Sequence, residues 1–299
     1  ISDGATYDFG TIAVGGSAQK TFTVTNIGNF AAGSVAGSGL SSPFAFKGGS
    51  YPGTGGTCST TLNVAASCTI VVTYAPVSTG VQSGTISMSY NDGVAPQTST
   101  RAVQGTGAAP ALLTLSDGPT YNYPSVPTGS SSDKTFTLTN SGGVSATGIS
   151  GSGLAAPFSF KGGSYPGTGG SCGVSLSASA TCTVVVTFAP TVVGTPNSQI
   201  DIAYNDGVNA QSTSRAVAGT AVAPANITVS DGPTYDFGTR ANGSSTDKTL
   251  TLTNSGGYPA SAMSGSGLSA PFTFKGGSYP GTGGTCGASL NDAASCTVV

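Results

Sequence analysis

The chain of 299 residues contains no histidine, glutamate or tryptophan, and its nine lysines and arginines and eleven aspartates leave a net charge of −2. Without histidine or glutamate, the usual general bases reduce to aspartate, and no aspartate pair recurs beside a nucleophile. Such sparse charge also provides no basic surface for nucleic acid and no acidic tail. The composition therefore argues against an enzyme and against a nucleic-acid partner, and it indicates no cofactor.

Long hydrophobic runs are also missing. No apolar stretch approaches the roughly 20 residues that cross a bilayer, so no direct membrane insertion of this segment is expected. No charged and then apolar leader opens the chain, and any export signal is expected outside these residues. Leucine and lysine, which favour helix, are scarce, whereas threonine and valine are common, which is an all-β composition.

One stretch of 13 residues sets the register of the chain. Phe-Lys-Gly-Gly-Ser-Tyr-Pro-Gly-Thr-Gly-Gly-Thr-Cys occupies residues 46–58 and returns at 160–172 and 274–286, with only a Thr/Ser exchange before the cysteine. The spacing of 114 residues predicts three tandem domains. Their predicted limits are residues 1–111, 112–225 and 226–299.

The third domain is expected to be incomplete at its C-terminal end. The counterpart of Tyr74 would lie beyond Val299, so the final hairpin of the repeat is missing. Such a sandwich would expose two unpaired edges and half of its core. Either these residues are a window from a longer array, or another chain supplies the missing strands.

Short alternating segments within each repeat are typical of strands. Residues 20–26, copied at 134–140 and 248–254, place apolar side chains at every second position, as in a half-buried strand. Residues 68–76 alternate likewise and end at a proline, which cannot donate to the ladder. Asn-Asp-Gly at 91–93 is a strong hairpin signal. Together these segments predict a β-sandwich in every repeat.

Six cysteines fall as one pair per repeat: Cys58 and Cys68, Cys172 and Cys182, Cys286 and Cys296. Six cysteines allow about 15 pairings, and the periodicity favours the bridge within each repeat. Paired cysteines without histidine make poor zinc sites, so no metal is expected there. Disulfides indicate an oxidising, extracytoplasmic setting. Reduced core cysteines and bridges between neighbouring chains are the alternatives.

Other recurring charged residues have more than one interpretation. Three recurring aspartates lie near the domain junctions and are candidates for binding calcium, which would need several convergent oxygens. A turn or cap role for these aspartates is the simpler interpretation. These candidates are Asp3, Asp117 and Asp231. An intramolecular Lys–Asn cross-link is a further hypothesis, although the core strands lack the catalytic carboxylate that such links use. The lysines concerned are Lys20, Lys134 and Lys248.

Two stretches carry a family resemblance. YDFGTIAVGGSAQKTFTVTNIGN at 7–29 and CTIVVTYAPVSTGVQSGTISMSYND at 68–92 resemble the ASH-type (abnormal spindle–Hydin) immunoglobulin-like domain. Within that family they are closest to the bacterial form known as the choice-of-anchor D domain. The resemblance covers two complete repeats and the present part of the third. It implies tandem immunoglobulin-like sandwiches of seven or eight strands, in large secreted or surface-anchored bacterial proteins, and it brings no catalytic residues.

The repeated loop has a structural and a functional interpretation. Structurally, its glycines permit a tight path in which the tyrosine folds back over the sandwich. Functionally, an identical loop on every domain would present its tyrosine and lysine to an adjoining domain or fibre strand, because free surface loops normally vary most. The interface candidates are Tyr51, Tyr165, Tyr279, Lys47, Lys161 and Lys275.

These features predict a structural repeat of an extracellular bacterial surface fibre, stalk or filament, stapled by one disulfide per domain. Its partners would be neighbouring copies of itself or other surface proteins. Short linkers containing proline and alanine, such as residues 105–110, predict a semi-rigid string. The alternative is an adhesin, a carbohydrate- or protein-binding module that uses loop aromatics, but a binder usually varies one loop per domain and these copies look alike.

Overall fold

The first repeat is a sandwich of two sheets. The computed structural model describes residues 1–299. Eight strands belong to the first repeat: β1 (Thr6–Ala13), β2 (Ala18–Thr25), β3 (Ala32–Ser38), β4 (Phe44–Phe46), β5 (Thr61–Leu62), β6 (Ser67–Tyr74), β7 (Gly80–Asn91) and β8 (Pro96–Ala108). The larger sheet has the order β1-β8-β7-β3-β5 and the smaller one β2-β6-β4.

The core lies between these sheets and follows the predicted alternation. Ile70, Val72 and Tyr74 of β6 are fully buried, as are Phe22 of β2 and Ile86 of β7. β7 and β8 form the predicted hairpin, whose tip is held by Asn-Asp-Gly. The all-β, immunoglobulin-like sandwich expected from the sequence is confirmed.

One pairing has no local signal in the sequence. The aromatic segment at 7–9 belongs to a longer strand, β1, which runs parallel to β8 with Thr6 opposite Ala102 and Ala13 opposite Ala108. The register shifts between Asp8 and Thr11, where a bulge is formed. This parallel pairing brings the two ends of the repeat together along one edge.

The second repeat has the same architecture with one additional strand. Its strands are β9 (Leu113–Leu115), β10 (Thr120–Pro127), β11 (Ser132–Asn140), β12 (Ala146–Ser152), β13 (Phe158–Phe160), β14 (Ser175–Leu176), β15 (Thr181–Phe188), β16 (Asn197–Asn205) and β17 (Ala210–Val222). The sheets are β10-β17-β16-β12-β14 and β13-β15-β11-β9. The added strand, β9, pairs antiparallel with the end of β11.

The third repeat forms a single three-stranded sheet of β18 (Ile227–Val229), β19 (Leu250–Asn254) and β20 (Ser295–Val298). Residues 235–237 match the aromatic strand of the other repeats in sequence but form no strand here. In repeats 1 and 2 that segment pairs with β8 or β17, and this chain carries no third counterpart of those strands. A strand without its partner leaves its backbone groups unpaired, so the sequence match alone does not make residues 235–237 a strand.

The junction between the first two repeats is short, and the two repeats contact each other there. Residues 109–112 separate β8 from β9, and the second repeat binds them: Ala111 N–H donates to Asp206 O at 2.9 Å. The hairpin tip of the second repeat also reaches the turn after β1, where a Cβ placed on Gly16 would lie 3.1 Å from Gly207 O. Val208 is half-buried there, whereas its counterpart Val94 is 93% exposed.

The structure contains no helix of the length and apolarity needed to span a bilayer.

Candidate functional site

The repeated loop lies along the edge of β6. Lys47 N–H donates to Val71 O at 2.9 Å, and Val71 N–H donates to Pro52 O at 2.9 Å. Further along, Thr57 N–H donates to Thr69 O at 2.9 Å. The loop therefore continues from β4 and covers the part of β6 that β4 does not reach, so this side of β6 is not left open for another chain.

A disulfide fixes the far end of the loop in each repeat. Cys58 and Cys68 are bonded, with Cα atoms 4.8 Å apart, and both are buried. The equivalent bridges join Cys172 to Cys182 and Cys286 to Cys296. No cysteine remains free. The bridges are thus internal to the repeats, as the periodicity favours, and such bridges are typical of oxidising compartments.

The loop passes so close to β6 that one position requires glycine. Gly53 has a φ of +88°, and a Cβ there would overlap the carbonyl oxygen of Val71. A positive φ disfavours any other residue, and the overlap with backbone leaves no room for adjustment. Equivalent approaches occur at Gly167 and Gly281.

The tyrosine of the loop packs against its own repeat. Tyr51 is half-buried and lies edge-on to Phe46, with ring centroids 5.7 Å apart. A Cβ on Gly37 of β3 would overlap the Tyr51 ring. The phenol oxygen is buried without a hydrogen-bond partner, as in Tyr165 and Tyr279. This placement is the one expected from the structural interpretation of the loop, and a contact role for the tyrosines stays a prediction.

Burial affects the ionisation of two of these phenols, those of Tyr51 and Tyr165. Desolvation raises the pKa of Tyr51, and it raises the pKa of Tyr165 to about 12. A phenol whose charged form is disfavoured stays neutral through the physiological range. The ring therefore acts as an apolar packing group with a buried hydroxyl.

The loop lysines differ between repeats. Lys161 Nζ lies 2.7 Å from Asp133 Oδ2, and Lys275 Nζ lies 2.6 Å from Asp247 Oδ2. The corresponding position in the first repeat is Gln19, so Lys47 has no such partner. Both ion pairs are exposed, which makes each worth little for stability. The lysines are the charged and accessible part of the loop, and their proposed role at an interface is untested.

A second cluster recurs beside the loop-bearing sheet. Lys20 Nζ lies 2.9 Å from Asp3 Oδ1 and 4.7 Å from the centroid of the Tyr7 ring. The same arrangement joins Lys134, Asp117 and Tyr121, and again Lys248, Asp231 and Tyr235. The Lys134 ammonium and then the Ser116 hydroxyl lower the pKa of Asp117.

This cluster bears on two hypotheses from the sequence. The junction aspartates considered for calcium and the lysines considered for a cross-link bind each other within each repeat. No group of three or more acidic, cysteine or histidine side chains converges as a metal site. The simpler interpretation of these aspartates, a local structural role, accounts for the contacts.

A buried asparagine was missed by sequence reasoning. Asn140 is fully buried. Its side chain donates to Val144 O and Leu176 O, and its Oδ1 accepts from Leu112 N–H and Gly142 N–H. Asn-Ser-Gly after an alternating strand, as at residues 140–142, is typical of a turn and does not by itself indicate burial. The recurrence of asparagine at the same position, followed two residues later by glycine, was the available signal.

Comparisons with known proteins agree with this architecture. Residues 3–106 match the family described as HYDIN/CFA65/VesB-like, Ig-like domain. The first repeat thus matches an ASH-type immunoglobulin-like domain, and the second repeat has the same strand order in its larger sheet. No curated protein matches the chain.

Several solved structures are similar to parts of the chain. The ASH/PapD-like domain 7 of human CEP192 has 18% identity, covering 38% of this chain and 86% of that one, with a TM-score of 0.29. The VesB protease of Vibrio cholerae has 17% identity over 36% of this chain and 31% of that one, with a TM-score of 0.31. The I67–I69 fragment of titin has 11% identity, covering 97% of this chain and 84% of that one, with a TM-score of 0.35.

Proposed function

We propose that this chain is a structural segment of an extracellular bacterial surface fibre, stalk or filament, in which each repeat is a disulfide-stapled spacer. The observation that carries the proposal is the invariant construction of the repeat. The same loop, bridge and tyrosine packing recur in all three copies, and they stabilise each domain from within. This constant construction suits a protein in which every repeat has the same role as a spacer.

The junction supports a role in spacing. Residues 109–112 are bound to the second repeat through Ala111 N–H, and Val208 is half-buried at the contact with the first. Repeats joined in this way resist bending more than repeats on a free glycine–serine tether. An array of them gains length in proportion to the number of repeats.

An enzymatic role is less favoured than a structural one, because the recurring aspartates are engaged in turns and ion pairs, and the chain has no histidine to activate the serines that donate to them. An adhesin that uses its loop aromatics is less favoured than a spacer. The three loop tyrosines lie against their own repeats, with their hydroxyls buried. The proposed partners are therefore other copies of the chain or other surface proteins, met through the exposed faces of the repeats.

The proposed surface location can be tested on intact native cells, and the proposed disulfides can be tested on the denatured protein. An antibody raised against residues 1–299 should label the outer surface of unpermeabilised cells in immunogold electron microscopy. Alkylation of the denatured, unreduced protein should leave all six cysteines unmodified. Labelling that requires permeabilisation, or modification of two cysteines per repeat, would contradict the proposal.

A further inference from the structure

Small residues form the surface of the first repeat that meets the second one. We call this surface the base and the facing surface of the second repeat the tip. The base consists of residues 12–16 and 108, and the tip consists of residues 143–144 and 206–209. Ala13 of the base is buried, with 3% of its surface exposed. A Cβ placed on Gly207 of the tip would lie 3.1 Å from the Cβ of Ala13, so these two positions have no space between them for a larger side chain.

Two further contacts across the junction are equally close. A Cβ placed on Gly16 of the base would lie 3.1 Å from Gly207 O. A Cβ placed on Gly143 of the tip would lie 3.1 Å from the Cβ of Ala108. Carbon atoms in favourable contact are about 3.5–4.0 Å apart. A larger residue at position 16 or 108 would therefore push the tip away from the base.

The linker holds the tip at this distance from the base. Ala111 N–H donates to Asp206 O, and Gly143 N–H donates to Ala109 O, both at 2.9 Å. Both acceptors and donors lie either in the linker or in the tip itself. The tip is thus tied to the few residues that follow Ala108, and it cannot relieve a steric conflict by moving freely.

The neighbouring repeat, rather than the turn, restricts position 16 to glycine. Gly16 does not have a positive φ. Its N–H donates to Ala13 O at 2.9 Å, and in the second repeat Ser130 N–H makes the equivalent bond to Pro127 O at 3.0 Å. A Cβ on Gly16 would also lie 3.1 Å from Ala13 O, but Ser130 shows that the same turn accepts a side chain at this place.

The base of the second repeat has a larger residue at each of these three positions. The counterparts of Ala13, Gly16 and Ala108 are Pro127, Ser130 and Val222. Ala13 lies opposite Ala108 in the parallel pairing of β1 with β8, and Pro127 lies opposite Val222 in the pairing of β10 with β17. The backbone framework of the two bases is therefore the same, and the side chains differ.

We infer that the base of the first repeat is a docking surface fitted to the tip of the repeat that follows it, and that Ala13, Gly16 and Ala108 determine the fit. The partner is the tip of a repeat of the same kind, with glycine at the places of Gly143 and Gly207. A base with proline, serine and valine at the three positions does not seat such a tip as closely. The repeats are therefore not interchangeable as neighbours, although their cores are alike. The inference rests on the junction and does not depend on the proposed fibre function.

Gly16→Ser in the full chain tests the inference. Spin labels attached to non-canonical amino acids at positions 21 and 135, which are exposed on the two repeats, leave the six cysteines in their bridges. Pulsed electron paramagnetic resonance then provides the distribution of distances across the junction. We expect a longer mean distance and a wider distribution in Gly16→Ser than in the unmodified chain.

Ala108→Val is an independent second variant. It should shift and widen the distribution in the same sense, and the double variant should do so more than either single one. The matched controls make the opposite exchanges in the second base. Ser130→Gly and Val222→Ala should leave the distances between the first two repeats unchanged, because neither residue belongs to this junction.

Each result decides for or against the inference. Distributions that stay unchanged in both Gly16→Ser and Ala108→Val would overturn it, as would equal widening in the controls. Circular dichroism shows whether the first repeat stays folded in each variant. Loss of its fold in Gly16→Ser would mean that the turn itself needs glycine, and this result would also contradict the inference.

Discussion

The ring of Tyr51 lies edge-on against the ring of Phe46, with centroids 5.7 Å apart, and the pairs Phe160–Tyr165 and Phe274–Tyr279 keep the same distance. The tyrosine thus attaches the tip of the repeated loop to the strand before it. Because its hydroxyl is buried without a partner, the ring rather than the hydroxyl supplies the stabilisation.

This packing predicts opposite effects of two substitutions at Tyr51. Tyr51→Ala should lower the free energy of unfolding by about 2 kcal/mol or more, through lost burial and a cavity beside Phe46. Tyr51→Phe should be neutral or stabilising by up to about 1 kcal/mol, because it removes an unsatisfied buried hydroxyl. Urea denaturation of the full chain provides both values. A large loss in Tyr51→Phe would mean that the hydroxyl has a partner.

Two loop glycines with nearly the same positive φ should respond differently to alanine. Gly53 and Gly55 have φ values of +88° and +90°. A Cβ on Gly53 would overlap Val71 O, whereas one on Gly55 would meet nothing within 4 Å. Gly55→Ala should cost about 1 kcal/mol for the left-handed conformation alone, and Gly53→Ala should cost clearly more. Equal losses in thermal unfolding would show that the loop can move away from β6.

Alkaline pH should unfold the second repeat partly through Tyr165. Burial raises the pKa of this phenol from 10.0 to about 12. The folded state therefore holds the proton more tightly than the unfolded state, and this contribution is fully present below pH 10 and is lost as the pH rises towards 12.

The Tyr165→Phe variant isolates that contribution from the other tyrosines. Its free energy of unfolding, measured in urea at pH 8 and pH 11, should fall less between the two values than that of the unmodified chain. If the free energy of unfolding falls equally in the two proteins between pH 8 and pH 11, the phenol of Tyr165 ionises freely in the folded state.

The contact between the first two repeats can be tested with a matched pair of substitutions. Val208→Asp places a charge where the hairpin tip of the second repeat meets the first, whereas Val94→Asp changes the equivalent, exposed tip. Small-angle scattering should show a broader range of overall dimensions for Val208→Asp and no change for Val94→Asp. The contact does not orient the repeats if the two variants scatter alike.

Local patterns in the sequence predicted much of the repeat. Alternation identified β2 and β6, Asn-Asp-Gly identified the β7–β8 hairpin, and periodicity selected the disulfide pairs. The parallel pairing of β1 with β8 joins residues almost a whole repeat apart, for example Thr6 and Ala102, and no local pattern encodes such a contact.

The candidate site was predicted only in outline. The sequence left open whether Tyr51 points outwards or inwards, because this depends on the space that Gly37 leaves on another strand. The loss of the strand at 235–237 likewise depends on the absence of its partner rather than on its own residues.

Electron microscopy of material purified from the native source tests the central claim most directly. A strand of 13 residues, such as β8, spans about 40 Å, so extended arrays of these domains should appear as thin fibres with a bead every ~40 Å along the axis. That periodicity in fibres labelled by an antibody against this chain is the result we expect. Isolated soluble particles, with no fibre of this period, would contradict the account.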